Sequence, residues 1–345
     1  MIDFPLSPSM LMMPRKLPHS AWLGHIPFAS WLVDVVRPKS IVELGTHNGA
    51  SFLAFCQAVE AQQVSARVFA VDTWQGDEHA GFYGNEIHAE LRDYQQRHYA
   101  GISEMMRMRF DQALEYFADG SIDVLHVDGL HTYEAVREDF ETWRCKLSSR
   151  AVVLFHDSCV RERGFGVWQY WSEVSSQFPS FEFTHTHGLG VLLVGEEQPD
   201  DLLRLAEASR SGQFATINQL FDALGRNIKN VEEIERVNQG LIAAHGEIGR
   251  LTAEEARLRA LLDRSSDVTE EHYAVVESQL PSLAQGLSTL ERRVIEEMND
   301  TRQALDESRQ ASVANVVASV VPRLDEQDRK LNLLMRPWWR RVLGR

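Results

Sequence analysis

The sequence predicts an α/β fold, a doubly wound and mostly parallel sheet followed by a long α-helical coiled-coil region, and three observations carry that prediction. Short, fully apolar runs alternate with longer stretches of helical periodicity as far as residue 194. Phe, Tyr and Trp are dense up to Phe221, after which only Tyr273 appears before the Trp338-Trp339 pair. Beyond about residue 228 the apolar residues recur every three or four positions.

The elements follow in order. A helix is expected over 28–36, a strand over 40–44, a helix over 50–61 and a strand over 67–71. Next come a helix over 85–97, a weakly defined strand near 106–110, a helix over 113–117 and a strand over 124–127. A helix over 133–147, a strand over 151–155, a helix over 167–177 and short strands near 181–184 and 191–194 complete the series. Fully apolar strands alternating with helices imply a parallel sheet covered on both faces. Residues 1–20 form a Pro-rich segment, 21–200 the α/β domain, 201–227 linker helices, 228–335 coiled-coil segments and 336–345 a basic Trp/Arg stretch. In the coiled-coil region Asn238, His245, Thr252 and Glu297 fall at or near the seam, and the register is expected to slip between Ile248 and Leu251. Pro281 and Pro322 should interrupt the helix, giving three segments. The alternative is a set of solvated amphipathic helices folding back on the domain.

Composition narrows the function. The formal net charge is −15, so the phosphate-neutralising electrostatics of nucleic-acid binding are missing and no nucleic-acid partner is expected. Cys56, Cys145 and Cys159 form no CxxC pair and leave an odd thiol, which points to a reducing cytoplasm. Neither a secretory leader nor a membrane span is legible, the longest apolar run after the N-terminal stretch being 151–155. Of the 13 histidines, 11 precede residue 190, so chemistry is sought there.

The strongest local signal is the apolar strand Ile41-Val42-Glu43-Leu44 running into Gly45-Thr46-His47-Asn48-Gly49 and then a helical stretch. Gly45 permits a tight turn or close ligand approach, Gly49 lets the next helix pack near the strand, and Glu43 can accept from an ammonium or a water network. The spacing is GxxxG, not the GxGxxG of a nicotinamide-binding turn, which disfavours a dehydrogenase. A second apolar strand ends in Asp72, placed to take the two hydroxyls of a ribose; the plainer reading is a turn or cap aspartate.

Glu43, Gly45, Gly49 and Asp72, in that order, resemble the class I S-adenosylmethionine-dependent methyltransferases and their Rossmann-like sheet. The resemblance extends over about residues 20–195 through Gly24-His25-Ile26-Pro27-Phe28, Asp72-Thr73-Trp74-Gln75-Gly76-Asp77, His126-Val127-Asp128-Gly129-Leu130-His131, Phe155-His156-Asp157-Ser158 and Gly188-Leu189-Gly190. It is similar to a bacterial group associated with glycosyltransferases of surface-polysaccharide synthesis. The resemblance implies S-adenosylmethionine as cofactor, with Glu43, Gly45, Gly49 and Ser51 near its methionine part, Asp72 near the ribose, and Thr73, Trp74 and Asp111 near the adenine.

Asp128 and His131 follow the fourth strand and His156 and Asp157 the fifth, so a parallel sheet brings all four to its C-terminal edge. His131 is the expected general base, with Asp128 and His156 as catalytic partners and His79, His185 and His187 as second candidates. By resemblance to metal-dependent O-methyltransferases, Asp128 and Asp157 match the positions that hold Mg2+, though Ser158 stands where a third oxygen ligand is usual. The bland alternatives are Asp128 as a cap of the next helix, His126 as a structural residue, and Trp168 and Trp171 as core.

Residues 336–345 combine four arginines with two tryptophans, which suits an anionic membrane interface or a subdomain contact. The expectation is a cytoplasmic methyltransferase, peripheral on the inner face of the membrane through 336–345, homo-oligomeric through the coiled coil and acting on a sugar hydroxyl of a cell-surface glycan. O-methylation of a natural product and a non-catalytic scaffold or chain-length regulator are the alternatives.

Overall fold

The computed structural model describes residues 4, 6–79 and 81–264, with five isolated helical positions between 285 and 296. Two units are distinguished, Met1–Lys229 and Asn230–Ala314. In the first, seven strands form one sheet: β1 (Ser40–Leu44), β2 (Arg67–Asp72), β3 (Ser103–Arg107), β4 (Ile122–Val127), β5 (Leu147–His156), β6 (Ser180–Phe183) and β7 (Leu189–Leu193). Their order is β3-β2-β1-β4-β5-β7-β6. The pairs from β3 to β5 are parallel, and β7 is antiparallel to both β5 and β6. The chain starts at the sheet centre with β1, works outward to β3, then returns to β4, so the order reverses between β1 and β4. That reversal opens a crevice at the strand C-termini, where such sheets bind ligands.

The helices are α1 (Ile26–Val36), α2 (Ala50–Ala61), α3 (Asn85–His98), the single turn α4 (Phe110–Ala113), α5 (Tyr133–Trp143), α6 (Val167–Val174), α7 (Asp200–Arg210) and α8 (Ala215–Arg264). Pro27 sits in the first turn of α1 and Arg37 ends that helix at φ 45°, a left-handed stop. Two apolar clusters cover the two faces of the sheet. One gathers Trp22, Phe28, Trp31, Phe55 and Phe221; the other gathers Phe140, Trp143, Phe155, Tyr170 and Trp171. Trp171 is therefore core, as its spacing suggests, while Trp168 is half-buried under the Arg161 guanidinium, 4.7 Å from its ring centre.

Several boundaries differ from the sequence reading. The weak strand lies at Ser103–Arg107, a few residues early, because an edge strand with Glu104 and Arg107 exposed has no clean apolar run to announce it. The helix expected over 113–117 is the turn α4 followed by a 3-10 turn, Leu114–Tyr116. β5 begins at Leu147, where the preceding helical segment was expected to end. Residues 201–227, read as linker helices, belong to the packing of the first unit: Leu202, Leu205, Phe214, Phe221 and Ile228 are buried in the α1 face cluster. Gly225 of α8 crosses Gly24 so closely that a Cβ there would lie 2.1 Å from the Gly24 carbonyl oxygen.

Beyond Asn230, α8 carries a half-buried stripe at Ile234, Val237, Leu241, Ala244, Ile248 and Leu251, with exposed residues between them. The alternating steps of three and four are an unbroken heptad, so the slip expected between Ile248 and Leu251 is the normal three-residue step, with Val237 and Ala244 filling the positions between the larger apolar residues. Pro281, Pro322, Glu297 and residues 336–345 lie outside the described residues. No described helix is long and apolar enough to cross a membrane.

Candidate active site

The turn after β1 is made by backbone. Gly45 has φ 87°, and a Cβ there would sit 2.1 Å from the Asp128 carbonyl oxygen, so only glycine lets the ends of β1 and β4 meet. The Gly45 N–H donates to Val71 O at 3.0 Å and the Asp128 N–H to Leu44 O at 2.8 Å, which carries the sheet ladder past the strand ends. Gly49 (φ 80°) caps α2, and a side chain there would strike Leu91 of α3. Asp72 Oδ2 accepts from the N–H groups of Thr46 and His47 at 2.8 and 3.0 Å, and Oδ1 from the Trp74 N–H at 2.7 Å. The carboxylate at the end of β2 thus holds the β1 loop and its own turn, and its remaining lone pairs face the cavity.

That cavity, about 850 Å³, opens at the strand C-termini. Gly45, Ser51, Asp72, Thr73 and Asp111 line it, as do Asp128, His131, His156 and Asp157. Glu43, Gly49 and Trp74 do not. Glu43 is fully buried, with Oε2 accepting from His126 Nδ1 at 2.9 Å. Trp22 Nε1 donates to His126 Nε2 at 3.1 Å; because an indole only donates, Nε2 accepts and Nδ1–H is the donor to Glu43. Glu43 and His126 are therefore a buried pair behind the cavity wall, which corrects the expectation of direct contact between Glu43 and an ammonium. Trp74 is buried as well, its Nε1–H donating to His47 O at 3.1 Å, so it braces the loop and does not face a base.

The acid–imidazole cluster is tight. His131 Nε2 lies 2.9 Å from Asp157 Oδ2 and 3.3 Å from Asp128 Oδ1. His156 Nδ1 lies 3.1 Å from Asp128 Oδ1 and 3.3 Å from Asp157 Oδ2. His187 Nδ1 is 3.0 Å from Asp157 Oδ1. Burial by itself would discharge every member, but the mutual contacts outweigh it. Opposed to burial, hydrogen bonds donated to Asp128 and Asp157 push His131 up to about 9. The same two carboxylates hold His156 well above its ordinary range. His156 and His131 in turn bring Asp128 down to about 2 and Asp157 far below the carboxylate range. Thr132, not Asp128, caps α5, its side chain accepting from the Ala135 N–H at 3.2 Å.

Magnesium requires near-octahedral oxygen ligation at about 2.0–2.1 Å. Asp128, His131 and Asp157 do bring ligand atoms within 4.8 Å of one another. The donor set nevertheless does not fit that ion, because both inward carboxylate oxygens already face the same two imidazole nitrogens and the third Asp157 contact is His187. Ser158 is fully buried and packs toward Gly188, where a Cβ would lie 2.6 Å from its Oγ.

Of the second-rank histidines, His79 and His187 line the cavity, whereas His185 lies elsewhere, with its ring 4.7 Å from that of His25. Phe165, which the sequence groups with the core aromatics around Trp168 and Trp171, lies against the cluster instead. Its ring lies 4.4 Å from that of His79 and 4.7 Å from that of His131, the two imidazoles being 5.7 Å apart, and Arg163 Nη2 donates to His79 O at 2.6 Å, so the loops after β2 and β5 meet at the cluster. Four non-glycine residues around the cavity, His47, Trp74, Asp157 and His187, have φ between 48° and 70°. Left-handed backbone of this kind costs on the order of 1–3 kcal/mol per residue and persists where neighbours over-determine it. Arg109 and Asp111 form an exposed two-point ion pair at 2.9 and 3.0 Å, and Asp139 joins the same end of the cavity from α5, a residue no motif announced.

Residues 42–158 match the model of a family described as a methyltransferase domain. An uncharacterized protein of Sinorhizobium fredii, y4gI, is 55% identical over 189 residues, covering 55% of this chain and 21% of that protein. The chain thus spans about a fifth of the length of that curated relative. Among solved structures, the calicheamicin methyltransferase CalS11 is 16% identical with a TM-score of 0.43, over 50% of this chain and 78% of that one. The O-methyltransferase TomG of Streptomyces achromogenes, solved with its methyl donor bound, is 16% identical with a TM-score of 0.39, over 56% and 92%. Residues 42–158, which carry the Gly45 turn, Asp72 and the Asp128–Asp157 cluster, are thus the part of the chain that is similar to a methyltransferase domain.

Proposed function

We propose that this chain transfers the methyl group of S-adenosylmethionine to a hydroxyl of a polyhydroxylated acceptor, a sugar of a bacterial cell-surface glycan. One observation carries the reading: the Gly45 turn and Asp72 open onto the same cavity as the Asp128–His131–Asp157 cluster. The Gly45 turn presents its backbone to the amino-acid part of the donor; Ser51 adds a hydroxyl there, and Asp72 and Thr73 receive the ribose. When bound, the donor supplies an electrophilic methyl on a positively charged sulfur. The acceptor end is lined by Ser20, His47, His79, Tyr83 and His187, a polar wall suited to hydroxyls more than to an apolar ring.

His131 is the general base of this proposal. Its Nε2 is held between two carboxylates, and its Nδ1 has no protein partner. In the neutral ring Nε2 carries the hydrogen and Nδ1 the lone pair. As the new O–CH3 bond forms and the S–CH3 bond breaks, Nδ1 takes the hydroxyl proton, and Asp128 and Asp157 stabilise the resulting imidazolium. His156 fixes the two carboxylates without touching the acceptor. Self-association through the stripe from Ile234 to Leu251, and contact of residues 336–345 with an anionic membrane surface, complete the proposal. Sedimentation of the full chain, and its partitioning to anionic vesicles with and without 336–345, test those two parts.

The deciding experiment is calorimetric titration of S-adenosylhomocysteine into the full chain. Micromolar binding that Gly45→Ala abolishes supports the donor site; no binding by the unaltered chain overturns it.

A further inference from the structure

Asp157 is held in part by a segment far along the chain. Its Oδ1 faces His187 Nδ1 at 3.0 Å, and His187 sits in the turn 184–188 that joins β6 to β7. Three successive residues of that turn are left-handed, Thr186 at φ 45°, His187 at 70° and Gly188 at 91°. Glycine takes such a conformation freely, but for a β-branched threonine it is an outlier, so the turn keeps this course only where its neighbours impose it. The His187 side chain is itself 57% exposed, so burial does not fix it.

Three neighbours grip the turn. Ahead of α1, His25 Nε2 lies 3.2 Å from the Thr186 carbonyl and 2.8 Å from its hydroxyl, and a Cβ at Gly24 would lie 2.5 Å from Thr186 Cγ2. After β5, the Cys159 N–H donates to His187 O at 2.8 Å. From α8, Asn218 Oδ1 accepts from the Thr184 N–H and Asn218 Nδ2 donates to Thr184 Oγ1, both at 3.0 Å, so one side chain fixes the entry to the turn at two points. Asn218 stands on a firm support. Ile217 and Phe221 beside it are buried, and the Phe221 and Phe214 rings lie 5.2 and 5.3 Å from that of Phe183, the last residue of β6.

We infer that Asn218 is a positioning residue of the acid–imidazole cluster: by clamping Thr184 it keeps the turn 184–188 in its left-handed course and so keeps His187 Nδ1 on Asp157, one of the two carboxylates that face His131 Nε2. Its catalytic meaning rests on the reading of His131 as general base; the clamp itself stands on the geometry of the turn. The first turns of α8 thereby serve the site, although the family match ends at residue 158. A carboxylate only accepts, so the bond to Asp157 places a hydrogen on His187 Nδ1. A neutral imidazole freed into water carries its hydrogen mainly on Nε2, and that difference makes the clamp measurable.

The test is long-range 1H–15N NMR of the histidine rings in the full chain, at a pH where exposed histidines are neutral, with the His187 signals assigned by their absence from His187→Gln. In the unaltered protein the 15N shift of His187 Nδ1 should be that of a nitrogen bearing hydrogen. Asn218→Ala removes both bonds to Thr184 and should move that shift to the value of a bare ring nitrogen, while the signals of His126, paired with Glu43 behind the cavity wall, stay in place. Asn218→Asp still accepts from the Thr184 N–H and from its hydroxyl, so it should restore the unaltered shift. Both bonds lie at the surface, so neither substitution opens the core. A His187 shift unchanged in Asn218→Ala overturns the inference, as does a change that Asn218→Asp fails to restore. A change that spreads to His126 also overturns it, since Asn218 would then support the fold at large. S-adenosylhomocysteine affinity, read by calorimetry, should stay within about twofold in both variants, because Gly45 and Asp72 lie on other strands. No binding by the unaltered chain overturns the donor reading and leaves the clamp to be judged by the His187 shift alone.

Discussion

The two ends of the functional cavity hold their charges in opposite ways. At the glycine turn, Asp72 is fixed by three backbone N–H groups, so its position follows from the course of the chain. At the acid–imidazole cluster, Asp128 and Asp157 are held almost wholly by side chains, chiefly His131, His156 and His187, and their position depends on protonation. The first arrangement is fixed by backbone donors. The second can exchange a proton and is the part of the site that titrates.

Breaking the titrating end should have the largest effect. His131→Gln is expected to lower methyl transfer by 10²–10⁴-fold while leaving S-adenosylhomocysteine affinity within a few-fold, read by donor turnover and calorimetry; an equal fall in both would make His131 a structural residue. At the backbone-held end the expectation reverses: Gly45→Ala forces a Cβ onto the Asp128 carbonyl and demands φ 87° of an alanine, so donor affinity should fall by about 100-fold or more. Wild-type affinity in that variant would remove the turn from the donor site.

The contrast sharpens in the pH dependence of stability. His131 is raised from 6.5 to about 9, so its contribution is complete below pH 6.5 and is lost as pH climbs toward 9. Asp128 is lowered from 3.8 to about 2, so its contribution is complete above pH 4 and is lost as pH falls toward 2. Thermal melts should peak between about pH 4 and 6.5, with the alkaline limb worth on the order of 3 kcal/mol or less. His131→Gln should flatten that limb, and an unchanged limb would show that the ion pairs contribute nothing to folding. Transfer itself should run the other way, rising with pH until His131 is neutral. The smallest effect is expected from chelation: because two imidazoles already face the inward carboxylate oxygens, EDTA should leave donor binding and transfer within about twofold. A tenfold loss restored by Mg2+ would place an ion at Asp128 and Asp157 after all.

Legibility in the sequence follows the same division. Gly45 and Asp72 stand at the ends of apolar strands, and a strand end is a local feature that a single stretch of sequence displays. Their distinction from Glu43 and Trp74 was not legible, because all four sit in the same two motifs and only packing shows which face the cavity. Asp139 carried no signal, lying mid-helix among other acids, and Phe165 read as one more core aromatic; each gains meaning from a neighbour far along the chain. The edge strand Ser103–Arg107 was displaced in the reading because half its surface faces solvent and its period-two pattern is blurred.

By itself the sequence determined the alternation of strands and helices, the placing of Asp128, His131, His156 and Asp157 at one sheet edge, and the three-and-four apolar spacing beyond about residue 228. These are properties of periodicity and strand order, which short-range sterics and burial impose. The tertiary structure alone decided that Glu43 pairs with His126 behind the wall, that His131 and His156 both face the inward oxygens of two carboxylates, and that Asn218 of α8 grips the turn carrying His187. Those facts depend on distances between segments far apart in the chain, and in a close-packed interior such distances are set by the packing of every neighbour together.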